Sequence, residues 1–116
     1  MITYNQSVIY HIHLNMSLPL ESKLFKGFAD ESRLSILDTL LSGSKTVSDI
    51  VDKTNLSQPN VSAHLSCLFD CALVKKTKKG REVYYRLSCK EIVSIFEAVR
   101  KIVKKRGDAI DTCKNY

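Results

Sequence analysis

A chain of 116 residues is one domain's worth, and at that size folding hides only about two-thirds of the surface that the unfolded chain exposes. Its 44% hydrophobic and 26% charged residues are ordinary for a globular protein, and no apolar run approaches the roughly 18 residues of a membrane span. The opening segment lacks the basic start and apolar core of a secretory leader, so a membrane partner is not expected and the cytoplasm is the expected setting.

The net charge of +6 is unevenly placed. Between Cys71 and Lys90 lie seven basic residues (Lys75, Lys76, Lys78, Lys79, Arg81, Arg86 and Lys90) against one acid, Glu82, so that segment holds the whole excess. A charge run alone is usually a solvated face. This one adjoins a candidate recognition helix, which makes it a candidate phosphate-binding surface.

In chain order, residues 1–19 show no helical periodicity, contain the His11-Ile12-His13 pair, and read as a flexible tail in which Met16 is an alternative start. Leu20, Leu24 and Phe28 recur every four residues and predict a first helix, weakened by Gly27. Asp30 can cap a second helix with Leu34, Leu37, Leu40 and Leu41 on one face and Gly43 as its stop. Thr46 or Ser48 can cap a short third helix carrying Val47, Ile50 and Val51. Asn55-Leu56-Ser57 is the turn into a fourth helix from about Gln58 to about Phe69, with Pro59 in its first turn, where a missing N–H costs nothing. Two helices joined by so short a turn, the second rich in Ser, Asn, Gln and His, form a helix-turn-helix.

From Leu73 to Leu87 the period changes to two. Val83, Tyr85 and Leu87 alternate with Glu82, Tyr84 and Arg86, and Lys79-Gly80 reads as a hairpin turn, giving a basic β-wing. Ser88-Cys89-Lys90-Glu91 has the form of a capping box opening a last helix that Gly107 ends. Its stripe of Ile92, Ile95, Phe96, Val99, Ile102 and Val103 suits either internal packing or burial against a second subunit. The expected fold class is mainly α with a small β-hairpin. The winged helix-turn-helix domain occupies 20–106, with dimerisation helices at both ends, and a C-terminal tail occupies 107–116.

Ser57, Gln58, Asn60, Ser62 and His64 cluster at the N-terminal end of the fourth helix, the end that enters the major groove in helix-turn-helix proteins. Gln58 and Asn60 can donate and accept together, as a bidentate contact to adenine requires, while Ser57 and Ser62 suit phosphates or base edges. Ser57 alone reads more simply as a helix cap, and His64 alone as a surface histidine. Lys78, Lys79 and Arg81 of the wing are the companion phosphate contacts. The expected partner is double-stranded operator DNA.

The order of helices, the Ser57-Gln58-Pro59-Asn60-Val61-Ser62-Ala63-His64-Leu65 motif and the Gly80-Arg81-Glu82-Val83-Tyr84-Tyr85-Arg86-Leu87 wing resemble the ArsR/SmtB transcriptional repressors over about Leu20 to Arg106. The resemblance implies a homodimer whose first and last helices form the interface. It also implies repression of metal-export or resistance genes, relieved when an effector binds.

Four cysteines (Cys67, Cys71, Cys89 and Cys113) in a cytosolic setting suggest free thiols, metal ligands or redox sensors rather than a disulfide framework. Helix positions four apart bring Cβ atoms within about 5–6 Å, so Cys67 and Cys71 can approach one metal. The plainer reading is two small buried hydrophobes. At about 100° per residue, however, the pair falls roughly opposite the Val61-Leu65-Leu68 face and avoids the domain's own core. Two thiolates leave a soft ion short of ligands, and Cys113 lies just past the last helix. Sulfur-only coordination favours soft, thiophilic ions over Mg²⁺ or Ca²⁺. Cys89 has no partner by spacing.

Within the family, the Leu65-Ser66-Cys67-Leu68-Phe69-Asp70-Cys71-Ala72-Leu73-Val74 run is similar to the cadmium- and lead-sensing branch, in which a tail cysteine completes the recognition-helix pair. Carried over, that resemblance implies Cys67, Cys71 and Cys113 as ligands for Cd²⁺ or Pb²⁺, with Zn²⁺ a further candidate. The third helix lacks the cysteine of the family's arsenic-type site, the last helix lacks the histidine of its SmtB-type zinc site, and the N-terminal tail holds no cysteine. The alternative is a repressor of the same fold that responds to thiol oxidation or reactive sulfur, although adjacent cysteines on a rigid helix do not easily form a disulfide. An enzyme is not expected. The chain has no phosphate-binding Gly loop and no paired carboxylates in a cleft-like context, and the His64–Cys67 pair on a groove-facing helix lacks a substrate pocket.

Overall fold

The computed structural model describes residues 17–115, so the His11–His13 pair and Met16 lie outside the described residues. Helix α1 is Ser17–Phe28, α2 is Glu31–Thr39 followed by a 3₁₀ turn Leu40–Ser42, α3 is Val47–Thr54, and α4 is Gln58–Asp70. Strands β1 (Val74–Lys79) and β2 (Glu82–Leu87) form the hairpin, and α5 is Glu91–Thr112.

The sequence signals for helix starts work as hydrogen bonds. The Asp30 carboxylate accepts from the Arg33 N–H at 2.9 Å. Thr46 rather than Ser48 caps α3, in a reciprocal capping box with Asp49. Ser57 accepts from the Asn60 N–H at 3.3 Å, and Asn55 makes the turn before it in the left-handed region, φ 60°. Arg33 also donates from Nε and Nη2 to the carbonyls of Gly27 and Lys26, satisfying acceptors that the end of α1 leaves open.

The core is one cluster. Ile36, Leu37 and Leu40 meet Ile50 of α3, Val61, Leu65 and Leu68 of α4, Leu73 and Val74 at the wing base, and Ile92 and Phe96 of α5. Phe28 packs edge-on to Phe96, with ring centroids 6.2 Å apart, and fastens α1 to α5. Gly27 is where α1 comes closest to the wing base, because a Cβ there would stand 3.0 Å from Leu73 Cδ1. The glycine that weakened the helix signal therefore marks a close approach.

The hairpin is antiparallel, with Val74 opposite Leu87 and Lys79 opposite Glu82. Gly80, at φ 64°, takes the first place of its two-residue loop, as such turns favour. Lys45 and Tyr85 exchange backbone hydrogen bonds of 2.9 and 2.8 Å, which pin β2 to the loop before α3.

Four boundary readings are corrected. Ser17–Pro19 form the first turn of α1 rather than the end of a tail, and Pro19 is tolerated there because first-turn N–H groups have no intrahelical partner. Gly107 does not end the last helix, which continues to Thr112; a single glycine costs only about 1 kcal/mol in so long a helix. The Ser88–Glu91 capping box does not form. Lys90 is the N-cap without a side-chain bond, because the Ser88 N–H is committed to the Leu73 carbonyl at the wing base. Leu34 is 37% exposed and lies outside the core that Leu37 and Leu40 enter.

Candidate DNA-reading and thiol site

Gln58, Asn60 and Ser62 are exposed on α4, Ser57 is spent as its cap, and His64 is half-buried. At about 100° per residue, Gln58 and Ser62 share one side of the helix with Phe69. Asn60 and His64 share the other with Cys67. The ring of His64 faces back towards the start of α2. Its charge helps hold the Asp30 carboxyl below the ordinary value, behind the larger effects of the Arg33 N–H and guanidinium.

On the hairpin, residues opposite one another share a face. Val74, Lys76 and Lys78 thus lie with Leu87, Tyr85 and Val83, and Lys75, Thr77 and Lys79 lie with Arg86, Tyr84 and Glu82. Lys78 and Lys79 consequently project from opposite faces. Lys79 Nζ stands 5.6 Å above the Tyr84 ring, Arg86 donates to Thr77 Oγ1 at 2.8 Å, and Arg81 is exposed at the tip. One contact escaped the sequence reading. Lys76 Nζ sits 4.4 Å from the centre of the Phe69 ring and joins the wing to the end of α4. The alternation that buries Val74 could have placed Lys76 on the recognition-helix side, but its partner lies across a turn.

All four cysteines are free and exposed, which removes the buried-hydrophobe reading of Cys67 and Cys71. Cys71 is the C-cap of α4, its N–H bonded to the Cys67 carbonyl, and Ala72 follows in the left-handed region at φ 62°. Desolvation pushes the Cys71 thiol above its ordinary value, and the neighbouring Cys67 thiol pushes the same way, while Lys23 pulls it down. The pair opens on a groove of about 510 Å³ between α1 and the end of α4. Cys113 caps α5 and does not line this groove, and Cys89 lies beside Ser88 at the far end of α5. Among the described residues of one chain, no three His, Cys, Asp or Glu residues form a cluster able to hold a metal. The two adjacent thiols fit half of a soft-metal site, and a further donor has to come from elsewhere.

A second groove, of about 650 Å³, runs between α1, α2 and α5 and is lined by Phe25, Leu34, Val99 and Val103, with the Asp38–Arg100 ion pair on its rim. Along α5, Val99, Ile102 and Val103 are about half exposed (43%, 55% and 50%).

The sequence profile described as "bacterial regulatory protein, arsR family" matches residues 30–76, from the cap of α2 into β1. The chain is also 32% identical over 92 residues to a probable mercury resistance operon repressor from Streptomyces lividans, spanning 79% of this chain and 74% of that one. The chain belongs to the ArsR family. Two solved structures share its winged helix-turn-helix. The cadmium metal-sensor CMTR from Mycobacterium tuberculosis is 34% identical, with a TM-score of 0.62 over 71% of this chain and 85% of that one. A homodimeric winged helix-turn-helix DNA-binding domain from Mycobacterium bovis is 27% identical, with a TM-score of 0.70 over 78% and 84%. As an ArsR-family member the chain is a DNA-binding transcriptional regulator, not an enzyme. No helix among its described residues is long and apolar enough to cross a membrane.

Proposed function

We propose that this ArsR-family regulator is a homodimeric repressor that leaves its operator when a soft divalent metal, Cd²⁺ or Pb²⁺, binds its cysteine thiolates. The observation that carries the reading is the exposed Cys67–Cys71 pair at the end of the candidate reading helix, together with a relative named for mercury resistance and a structural neighbour named as a cadmium sensor. Ser57, Gln58, Asn60, Ser62 and His64 would read or position the major groove, and Lys78, Lys79 and Arg81 would hold phosphates. Residues 20–106 would be the working domain, with α1 and α5 as its dimerisation helices. Their exposed apolar side chains and the groove between them support that role. The setting is the cytoplasm, where thiols stay reduced.

The site is completed across the dimer, by Cys67 and Cys71 of one protomer and Cys113 of the partner subunit. Cys113 ends a helix whose apolar stripe suits pairing with its mate, so the tail can emerge beside the partner's reading helix. When bound, the metal supplies a bond between that tail and the reading helix. Holding the two together biases the dimer away from a spacing that matches two half-sites one DNA turn apart. A coupling of about 3 kcal/mol suffices for a roughly 150-fold loss of affinity.

The test is a mixed dimer of a Cys67→Ser, Cys71→Ser protomer with a Cys113→Ser protomer, each unable to form a three-thiolate centre alone. The heterodimer should regain one such centre, read by thiolate-to-metal absorption with Cd²⁺. A folded heterodimer without it refutes sharing. Operator release by mild oxidation, with no response to metal, would transfer the reading to the thiol-redox repressor.

A further inference from the structure

The groove beside the thiol pair is far larger than a metal ion and has a chemistry of its own. Leu20 and Leu24 of α1 and Leu73 at the wing base give it an apolar surface, with Leu20 71% and Leu24 39% exposed. Around it, Lys23, Lys26 and Arg33 outnumber Asp70, so before any thiol ionises the lining carries an excess of positive charge. Such a lining repels an approaching divalent cation and leaves a neutral electrophile unaffected. The two thiols share one wall, with no third ligating group among the described residues of the same chain.

We propose that Cys67 and Cys71 also accept monoorganyl arsenic(III) compounds, with an aryl group on arsenic seated in this groove and no third protein ligand. The valence count is the core of the reasoning. An arsenic(III) atom that already holds one carbon has two places left, and one chain offers two adjacent thiols. With R–As(OH)₂ as reactant, two As–O bonds break and two As–S bonds form. Each thiol proton leaves with a hydroxide as water, giving R–As(S–Cys)₂ and two waters. Arsenic stays in the +3 state, so no oxidant or reductant is needed. The reactant is neutral, the group R meets leucine rather than water, and the product ties the last turn of α4 to its own cap.

The inference rests on the pair being the effector site of the repressor, but not on Cys113 or on a second subunit. The test uses the reduced full chain on labelled operator, titrated in parallel with phenylarsine oxide, which hydrates to phenylarsonous acid, and with Cd²⁺. Intact mass and fluorescence anisotropy are the readouts. One phenylarsenic group should add per chain and release the operator, both in the parent protein and in Cys113→Ser, and neither should occur in Cys67→Ser or Cys71→Ser. Leu20→Asn, at an exposed position, should weaken the phenylarsenic response about tenfold and leave the Cd²⁺ response unchanged. Loss of the adduct in Cys113→Ser, its survival in Cys67→Ser, or equal weakening of both probes by Leu20→Asn would overturn the proposal. Release by Cd²⁺ alone sinks this inference and leaves the metal repressor standing; release by phenylarsine oxide alone does the reverse.

Discussion

Lys78 and Lys79 are neighbours in sequence but project from opposite faces of the hairpin, and that difference sets the size of their effects on DNA binding. Each phosphate neutralised on duplex DNA contributes about −0.9 to the slope of log affinity against log salt. A dimer carries two wings, so removing one phosphate contact per protomer should flatten the slope by about 1.8, and removing two by about 3.6. Lys79 stands opposite Glu82 and over the Tyr84 ring, where its charge is already partly occupied. Lys78→Ala should therefore give close to the full 1.8 and Lys79→Ala less, with the double variant between 1.8 and 3.6. A change of about 1.8 equals roughly twelvefold in affinity between about 50 and 200 mM salt, well within the reach of fluorescence anisotropy on a labelled duplex. The preference for operator over random DNA should not move, because phosphate contacts carry no sequence information. An unchanged slope in the double variant would remove the wing from the phosphate contacts, and a lost preference at constant slope would make these lysines base readers.

The reading helix and the thiol pair make two further tests. Gln58→Ala and Asn60→Ala, both at exposed positions, should each cost about 1–3 kcal/mol of discrimination while random-DNA affinity holds, and equal weakening on both duplexes would show a backbone or folding role instead. The pH dependence of Cd²⁺ affinity follows from the Cys71 thiol, which desolvation and then the Cys67 thiol raise above the ordinary 9.0. The folded protein holds that proton more tightly, so a metal must displace it at every pH below the raised value. Affinity should climb by about two decades per pH unit between roughly pH 6 and 8, for two displaced thiol protons, and go on climbing past 9. A Cd²⁺ affinity that is flat over pH 6 to 8 would mean that the pair is not the ligand.

Legibility in the sequence followed the range of the physics. Contacts within one helix or one hairpin are fixed by periods of 3.6 and 2, and there the reading was close. Asp30, Thr46 and Ser57 cap because their side chains reach an N–H three residues on, and Val83, Tyr85 and Leu87 alternate as a strand must. Adjacency of Cys67 and Cys71 is likewise a local fact, and the core residues Leu37, Ile50, Val61, Leu65 and Leu68 came from the same periodicity. What failed was competition between local signals and tertiary contacts. The S-x-x-E pattern at Ser88 is a sound local signal, but the Leu73 carbonyl takes the Ser88 N–H first. Leu34 fits the apolar spacing of α2, yet faces a groove that one chain leaves open. Gly27 looked like a flaw in a helix because its neighbour, Leu73, is 46 positions away.

The same limit applies to the end of α4, where sensing and DNA contact meet. Spacing reveals two thiols on one helix, but not that the second of them caps it, that Ala72 turns the chain through the left-handed region, or that Phe69 then meets Lys76 on the wing. Those features depend on the angle between a helix and a hairpin, which only the packed Leu68–Leu73–Val74 corner determines. Any ligand that changes the last turn of α4 therefore acts on a joint with little slack. The Leu73 N–H is bonded to Leu68, the Leu73 carbonyl accepts from Ser88, and the wing cannot swing without breaking one of them. A thiol-bound effector needs no long pathway to reach the wing, because Cys71 is three residues from the first residue of β1.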